Sequence, residues 1–375
     1  MFTNYQTYAY GHDFGNSKTC GVAYTPQGQC VALEMPSTLT AGTMDELMSN
    51  VSGASINNLR EAGITSQTSH IVSFKHQGKQ HSFYGGDLAI LHKSDATMKE
   101  LTWRGTVSRY WSERNLAALL MTSGTLIKDR EYGLAVVTQL PIRTHDEVNT
   151  KQVKQTLDGD YDFVLDGAKR TAHIVVKKTI KEGVGASLAY GSNGAEKIGI
   201  VDIGGRTGDA FQLQNQITLP GTQGTIDKGV ETVADELEAA FVTRFRYPIS
   251  AQDARDLLYR WIHGQALHTI QSMIEAEAPI GAVNQMIEDT IYKVGSEFVP
   301  WLKMLWSGSL QVDVVAQGVS RILLVGGGAY YFESALAPLF KKRLFVPEDP
   351  EFANAGGCAK LALHYLQREK PAQAV

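Results

Sequence analysis

Apolar positions along the chain follow two rhythms. Up to about residue 200 they come as short alternating or continuous runs: Tyr8-Ala9-Tyr10 and Gly21-Val22-Ala23-Tyr24 around a polar turn, then Ile71 to Phe74, His81 to Tyr84, Gly133 to Thr138 and Tyr161 to Leu165. Lys169 to Val176, continued by the charged Lys177 to Lys181, is strand material too. Short runs of this kind predict strands, because successive side chains of a strand point to opposite faces. Arg109 to Leu126 is a helical stretch among them, and Pro141 closes the strand that follows it. After a second turn-bracketed pair, Ile198 to Val201 and Ala210 to Leu213, the spacing changes. Val230, Val233, Leu237, Phe241 and Phe245 recur at helical spacing, which predicts a helix with one face in a core. Ala251 to Ala276 and Ala282 to Trp306 continue that period, Tyr330 to Leu344 predicts another helix, and a last one runs on from Asn354 to Gln367.

The segments between are polar. Thr40 to Thr68, rich in Ser, Asn and Gly with one helical stretch, predicts a mobile surface subdomain, and Gly85-Gly86-Asp87 ends the strand pair after it. Glu182-Gly183-Val184-Gly185-Ala186 leads into a helical turn starting at Ser187, and Gly191 to Gly194 breaks the pattern as a hinge would. Each half therefore opens with strand, turn, strand and then adds helices. That repetition predicts an internally duplicated α/β fold, two domains with a ligand cleft between them.

The two turns carry the candidate chemistry. Asp13-Phe14-Gly15-Asn16-Ser17-Lys18-Thr19 and Asp202-Ile203-Gly204-Gly205-Arg206-Thr207-Gly208-Asp209 share one design. Glycine lets backbone N–H groups approach an anion with no Cβ in the way. An aspartate at the strand end can hold hydrated Mg²⁺ against phosphate oxygens. Arg321-Ile322-Leu323-Leu324-Val325-Gly326-Gly327-Gly328-Ala329 is an apolar strand entering three glycines and then a helix, a surface on which a flat nucleoside can rest. Asp-Gly turns also close ordinary hairpins, and triple glycines also join ordinary strands to helices. The order of the three segments favours a polyphosphate clamp.

Composition narrows the classes. With 375 residues, 43% apolar and 20% charged, the chain has room for two domains with their own cores. A net charge of −4 argues against electrostatic coating of nucleic acid. No apolar run reaches the roughly 18 residues of a membrane span, and the N-terminus has no basic-then-apolar leader, so the expected location is the cytoplasm. Cys20, Cys30 and Cys358 form no CxxC pair, as suits a reducing compartment. His76 with His81 and His263 with His268 lack helical metal-pair spacing, and no structural metal site is assigned.

Taken in order, these segments resemble the superfamily of actin, sugar kinases and heat-shock chaperone ATPases, where they are called phosphate 1, phosphate 2 and adenosine. The resemblance spans nearly the whole chain, and Asp202 to Asp209 is close to the superfamily's DxGxxTxD. Within it the chain looks most like the bacterial plasmid-segregation actins of the ParM or StbA type. Pro141 resembles their GLP strand end, and Lys181 to Ala186 stands where they carry a glutamate that positions the attacking water. The helix after Gly229 and the Asn354-Ala355-Gly356-Gly357 start of the last helix also fit. Two positions depart: Cys20 stands where actin has its phosphate-1 lysine, and Lys181 where a proline often precedes the glutamate.

The resemblance implies a duplicated actin or ribonuclease-H-like fold, with residues 1–182 plus the C-terminal helix 351–375 as domain I and 183–350 as domain II. It implies ATP, with GTP left open, bound with Mg²⁺ that Asp13 and Asp202 hold through water. Gly15, Asn16, Ser17, Lys18, Gly204, Gly205, Arg206 and Thr207 would surround the phosphates. Asp227 and Lys228 would lie near the ribose, Arg260 against the adenine, and Gly326, Gly327, Gly328 and Ala329 along the adenosine. Glu182 would order the attacking water and form the catalytic set with Asp13 and Asp202. Arg206 fits a surface ion pair equally well, and Glu182 also fits a solvated loop carboxylate. The implied function is an ATPase that self-associates into filaments and segregates plasmid DNA through a DNA-bound adaptor, with no direct nucleic-acid or membrane contact. Two other classes stay open. One is a small-molecule kinase of the same superfamily using Asp209; the other is a non-hydrolysing scaffold, which would bring a longer amphipathic tail than Arg368 to Val375.

Overall fold

β1 (Gln6–Phe14) and β2 (Lys18–Tyr24) form the first hairpin, antiparallel, with Asp13 opposite Cys20. The structure, a computed structural model, describes residues 5–25, 27–46, 56–61, 66, 68–86, 88–89, 107–190, 196–215, 217–311, 315–316 and 318–369. The chain divides into two compact units, residues 1–189 with 352–375, and residues 190–351.

In the first unit β3 (Cys30–Pro36) and β4 (Leu39–Ala41) follow the hairpin, then α1 (Ile56–Glu61), β5 (His70–His76) and β6 (Lys79–Gly85). After these come α2 (Glu113–Leu126), β7 (Glu131–Leu140), α3 (Glu147–Leu157), β8 (Gly159–Leu165), β9 (Ala168–Lys181) and α4 (Val184–Tyr190). The sheet runs β3-β2-β1-β7-β9-β8-β5-β6-β4, with β1, β7 and β9 parallel. Alternation sorts its faces. Tyr8, Tyr10, Leu134 and Val136 pack with Leu116, Leu119 and Leu120 of α2, while Ala9, Val137 and Ile180 pack with Cys358 and Ala362 of the closing helix Ala353–Glu369. That helix lies on β1 so closely that a Cβ on Gly11 would fall 1.8 Å from the Ala355 carbonyl, so only glycine fits there.

The second unit repeats the plan. β10 (Lys197–Ile203) and β11 (Gly208–Gln214) are an antiparallel hairpin with Asp202 opposite Asp209; β12 (Ile217–Thr218) and β13 (Gly224–Ile226) both pair with β11. The helices α5 (Val230–Phe245), α6 (Ala251–Ile262), α7 (Gln271–Glu275) and α8 (Ile280–Ser307) follow, then β14 (Arg321–Val325), α9 (Ala329–Phe340) and β15 (Leu344–Phe345). The order β12-β11-β10-β14-β15, with β10, β14 and β15 parallel, matches β3-β2-β1-β7-β9 strand for strand. Val233, Leu237 and Phe241 of α5 are buried with Ile287, Val294 and Phe298 of α8, as the helical spacing requires.

Three boundaries differ from the sequence expectation. The helix expected over Ala251 to Ala276 stops at Ile262, where Gly264 turns at φ 62° and Arg260 bonds the Ala266 carbonyl, and resumes at Gln271. The helix expected from Tyr330 to Leu344 stops at Phe340, because Lys341 turns at φ 54° and Leu344 and Phe345 pair with β14. The helical turn expected from Ser187 begins at Val184, where Asn354 accepts from the N–H groups of Gly183, just ahead of it, and Ala186 in its first turn. Gly191 to Gly194, Asp87 and much of Thr40 to Thr68 lie outside the described residues. No helix among the described residues is long and apolar enough to cross a membrane.

Candidate functional site

In the first unit the parallel strands β1, β7 and β9 end side by side, carrying Asp13, Gln139 and, just past Lys181, Glu182. The backbone N–H of Glu182 bonds the Leu140 carbonyl at 2.8 Å, which fixes the end of β9 against β7. Burial raises the pKa of Asp13, against the lowering effects of the Gln139 carboxamide and the Arg109 guanidinium. Gln139 is 3% exposed, and its carboxamide faces Asp13 and favours the charged carboxylate.

His12, fully buried, is held down to a pKa of about 4 by burial, with Asn115 opposing the shift. Asn115 donates its amide N–H to the Tyr110 carbonyl, so its Oδ1 faces His12 Nε2 at 2.7 Å, and the neutral imidazole carries its proton on Nε2. The Gly15–Ser17 turn is pinned from just past the end of β3 by a bond from the Ser37 N–H to the Ser17 carbonyl at 2.9 Å. Lys18, expected at the phosphates, pairs with Glu34 at 2.6 Å. Arg109 donates to Asn16 Oδ1 and to the Phe14 carbonyl.

In the second unit Asp202, 6% exposed, ends β10 beside the glycine run. Gly326 turns at φ 80°, and a Cβ on it would lie 2.5 Å from the Ile203 carbonyl and 2.6 Å from Asp202 Oδ1. Gly328 donates its N–H to Ile203 at 2.7 Å, whereas a Cβ on Gly327 would meet nothing within 4 Å. The run is therefore clamped at both ends and open in the middle. Gly204 closes its turn on the Thr207 carbonyl at 2.9 Å, and the first N–H groups of α5, Val230 and Glu231, bond the carbonyls of Gly204 and Gly205. Gly205, Arg206 and Thr207 stay half-buried on that turn, and Ala329 opens α9.

Two of the other expected ligands are engaged within the protein. Lys228 pairs with Glu297 at 2.8 Å, and Arg260 bonds the Ala266 carbonyl at 3.0 Å and the Thr269 hydroxyl. Asp227 is exposed, and buried Asp209 accepts from Thr225 Oγ1.

Both sets fit an anion with a hydrated cation. Asp13 and Asp202 each stand at a strand end beside a glycine turn, a placement from which a carboxylate can reach a hydrated cation through water. The open Gly327 fits a ligand better than a closed core. Arg109, Gln139 and the capping role of Asn354 escaped the sequence reading. A glutamine ending an apolar strand before Leu140-Pro141 was the available signal for one of them.

No family model and no curated protein matches the chain. Solved structures do. Bacillus thuringiensis ParM with ATP is 16% identical, with 96% of this chain and 100% of that one covered, at a TM-score of 0.67. A 15-stranded ParM filament from Clostridium botulinum is 17% identical over 96% and 100%, at 0.66. Ta0583, an archaeal actin homolog, is 16% identical over 96% and 99%, at 0.63. The chain has the actin-like fold of the ParM type, as the order of its motifs implies.

Proposed function

We propose that this chain is an actin-like ATPase that binds ATP with Mg²⁺, assembles into nucleotide-dependent filaments and segregates plasmid DNA through a DNA-bound adaptor in the cytoplasm. The observation that carries the reading is the end of β1, β7 and β9, where Asp13, the Gln139 amide beside it and Glu182 lie on adjoining strand ends. The likeness to a ParM with ATP and to a ParM filament supports it. Residues 1–182 with 351–375, and 183–350, are the proposed actin-like domains.

In this reading the N–H groups of Gly15, Asn16 and Gly205 and the hydroxyls of Ser17 and Thr207 hold the phosphates, and Gly204, its N–H donated to the Thr207 carbonyl, shapes the second turn. Asp13 and Asp202 hold the hydrated metal, which supplies neutralisation of the phosphate charge. Glu182 orders the attacking water. Gly326, Gly327, Gly328 and Ala329 take the adenosine and Asp227 the ribose. Lys18, Lys228 and Arg260 would each leave a protein partner to reach the ligand, so they rank below the backbone groups. The kinase reading loses ground because its candidate base, Asp209, is buried and bonded to Thr225.

Right-angle light scattering with phosphate release, on addition of ATP, GTP or a non-hydrolysable analogue with Mg²⁺, tests the proposal. A rise confirmed as filaments by electron microscopy is expected. No rise over a wide protein concentration range overturns it in favour of a kinase or scaffold.

A further inference from the structure

Arg109 is a buried cation whose partners among the described residues are all neutral. It sits in the 3₁₀ turn Val107–Trp111 ahead of α2 and is 5% exposed. Its guanidinium donates to Asn16 Oδ1, to the Phe14 carbonyl at 3.3 Å and to the Tyr110 hydroxyl. Its central carbon lies 4.4 Å from the Tyr110 ring centre and 5.7 Å from that of Phe14. Asp13 feels its charge without an ion pair forming.

A guanidinium buried against neutral acceptors loses hydration that dipoles and ring faces only partly replace. Two of those three acceptors, Phe14 and Asn16, belong to the end of β1 and the turn that follows it, so the cation is tied to the place where the nucleotide reading puts phosphate. The rings of Phe14 and Tyr110 hold the guanidinium plane, and a planar fork matches the oxygens of a phosphate in a way that a lysine ammonium does not.

Resting on that nucleotide reading, we propose that Arg109 takes the terminal phosphate of a nucleoside triphosphate at the Gly15–Ser17 turn, and so distinguishes triphosphate from diphosphate. In hydrolysis the bond from the γ-phosphorus to the bridging oxygen breaks, and a bond to the water oxygen forms. The electron pair leaves with the diphosphate, and the water proton ends on the released phosphate or solvent. Arg109 moves no proton. It offsets the charge on the phosphoryl oxygens, as an arginine supplied within the same chain.

The test is calorimetric titration of the full chain with ATP and with ADP, each with Mg²⁺, alongside phosphate release, for the wild type, Arg109→Gln and Arg109→Lys. Arg109→Gln is expected to weaken ATP at least about tenfold and ADP less than about threefold, and to slow hydrolysis by about 10³. Arg109→Lys is expected to fall between, since it keeps the charge and loses the fork. Equal weakening of ATP and ADP would mean that the arginine only braces the turn, and unchanged binding and rate would overturn the proposal outright. Wild-type protein that binds neither nucleotide would instead sink the nucleotide reading. If Arg109→Gln melts far below the wild type, the ATP-to-ADP ratio of Arg109→Lys decides: a ratio unchanged from wild type while both affinities fall overturns the role.

Discussion

Asn354, in the first turn of the closing helix, accepts hydrogen bonds from the N–H groups of Gly183 at 3.1 Å and Ala186 at 3.2 Å, so one side chain fixes the backbone immediately after Glu182. The approach is tight: a Cβ on Gly185 would fall 2.4 Å from the Asn354 carbonyl. Asn354→Ala leaves two buried donors without an acceptor and should cost about 1–3 kcal/mol in urea unfolding. Because it frees the residue proposed to order water, hydrolysis should drop at least about tenfold with little change in ATP affinity. Turnover equal to wild type in a folded variant would remove Asn354 from the positioning of Glu182.

Glu182→Ala should leave nucleotide binding within about threefold and slow phosphate release by about 10²–10⁴, the range of a lost general base. Filaments of this variant should persist after ATP is added, visible as a scattering signal that fails to decay. Unchanged hydrolysis would place the water-ordering group elsewhere, with Gln139 the next residue to replace.

The hairpins, the glycine run and the α5 face were legible because each is a local pattern: period two, a turn glycine, or apolar residues at helical spacing. Their pairing order was legible only through repetition of the motif. Arg109 and Gln139 were not, since their meaning depends on contacts across the sheet, Arg109 with Asn16 and Gln139 beside Asp13. The ends of α6 and α9 were missed for a related reason: a positive-φ turn at Gly264 ends the first, and at Lys341, with the parallel pairing of Leu344 and Phe345, the second, against apolar periodicity that would have carried each helix on.

Gly326 and Gly327 are neighbours with opposite expectations. Alanine at Gly326 meets Ile203 and Asp202 and requires φ 80°, so Gly326→Ala should destabilise the chain by about 1–3 kcal/mol and weaken nucleotide binding with it. Alanine at Gly327 meets no protein atom within 4 Å, so Gly327→Ala should unfold within about 0.5 kcal/mol of wild type. If adenosine lies against the run, Gly327→Ala should still weaken ATP and ADP alike. Binding unchanged in Gly327→Ala would move the adenosine away from this glycine.

His12 should make the fold sensitive to mild acid. Its pKa falls from 6.5 to about 4 on burial, so between those values the unfolded chain holds a proton that the folded chain excludes. Stability from this residue is therefore complete above about pH 6.5 and is lost as pH falls toward 4, by up to about 3 kcal/mol at 1.36 kcal/mol per unit. His173 opposes it. Burial lowers the pKa of His173, but bonds to Asp160 and Glu131 raise it further, so its contribution is present below pH 6.5 and fades as pH rises through the raised value. Urea unfolding of wild type and His12→Gln at pH 7.5, 6.0 and 5.0 separates the two, because His173 is common to both proteins. The stability gap should shift in favour of the glutamine variant as pH falls. A gap that stays constant across the three pH values would mean that His12 is charged, or reached by water, in the folded chain.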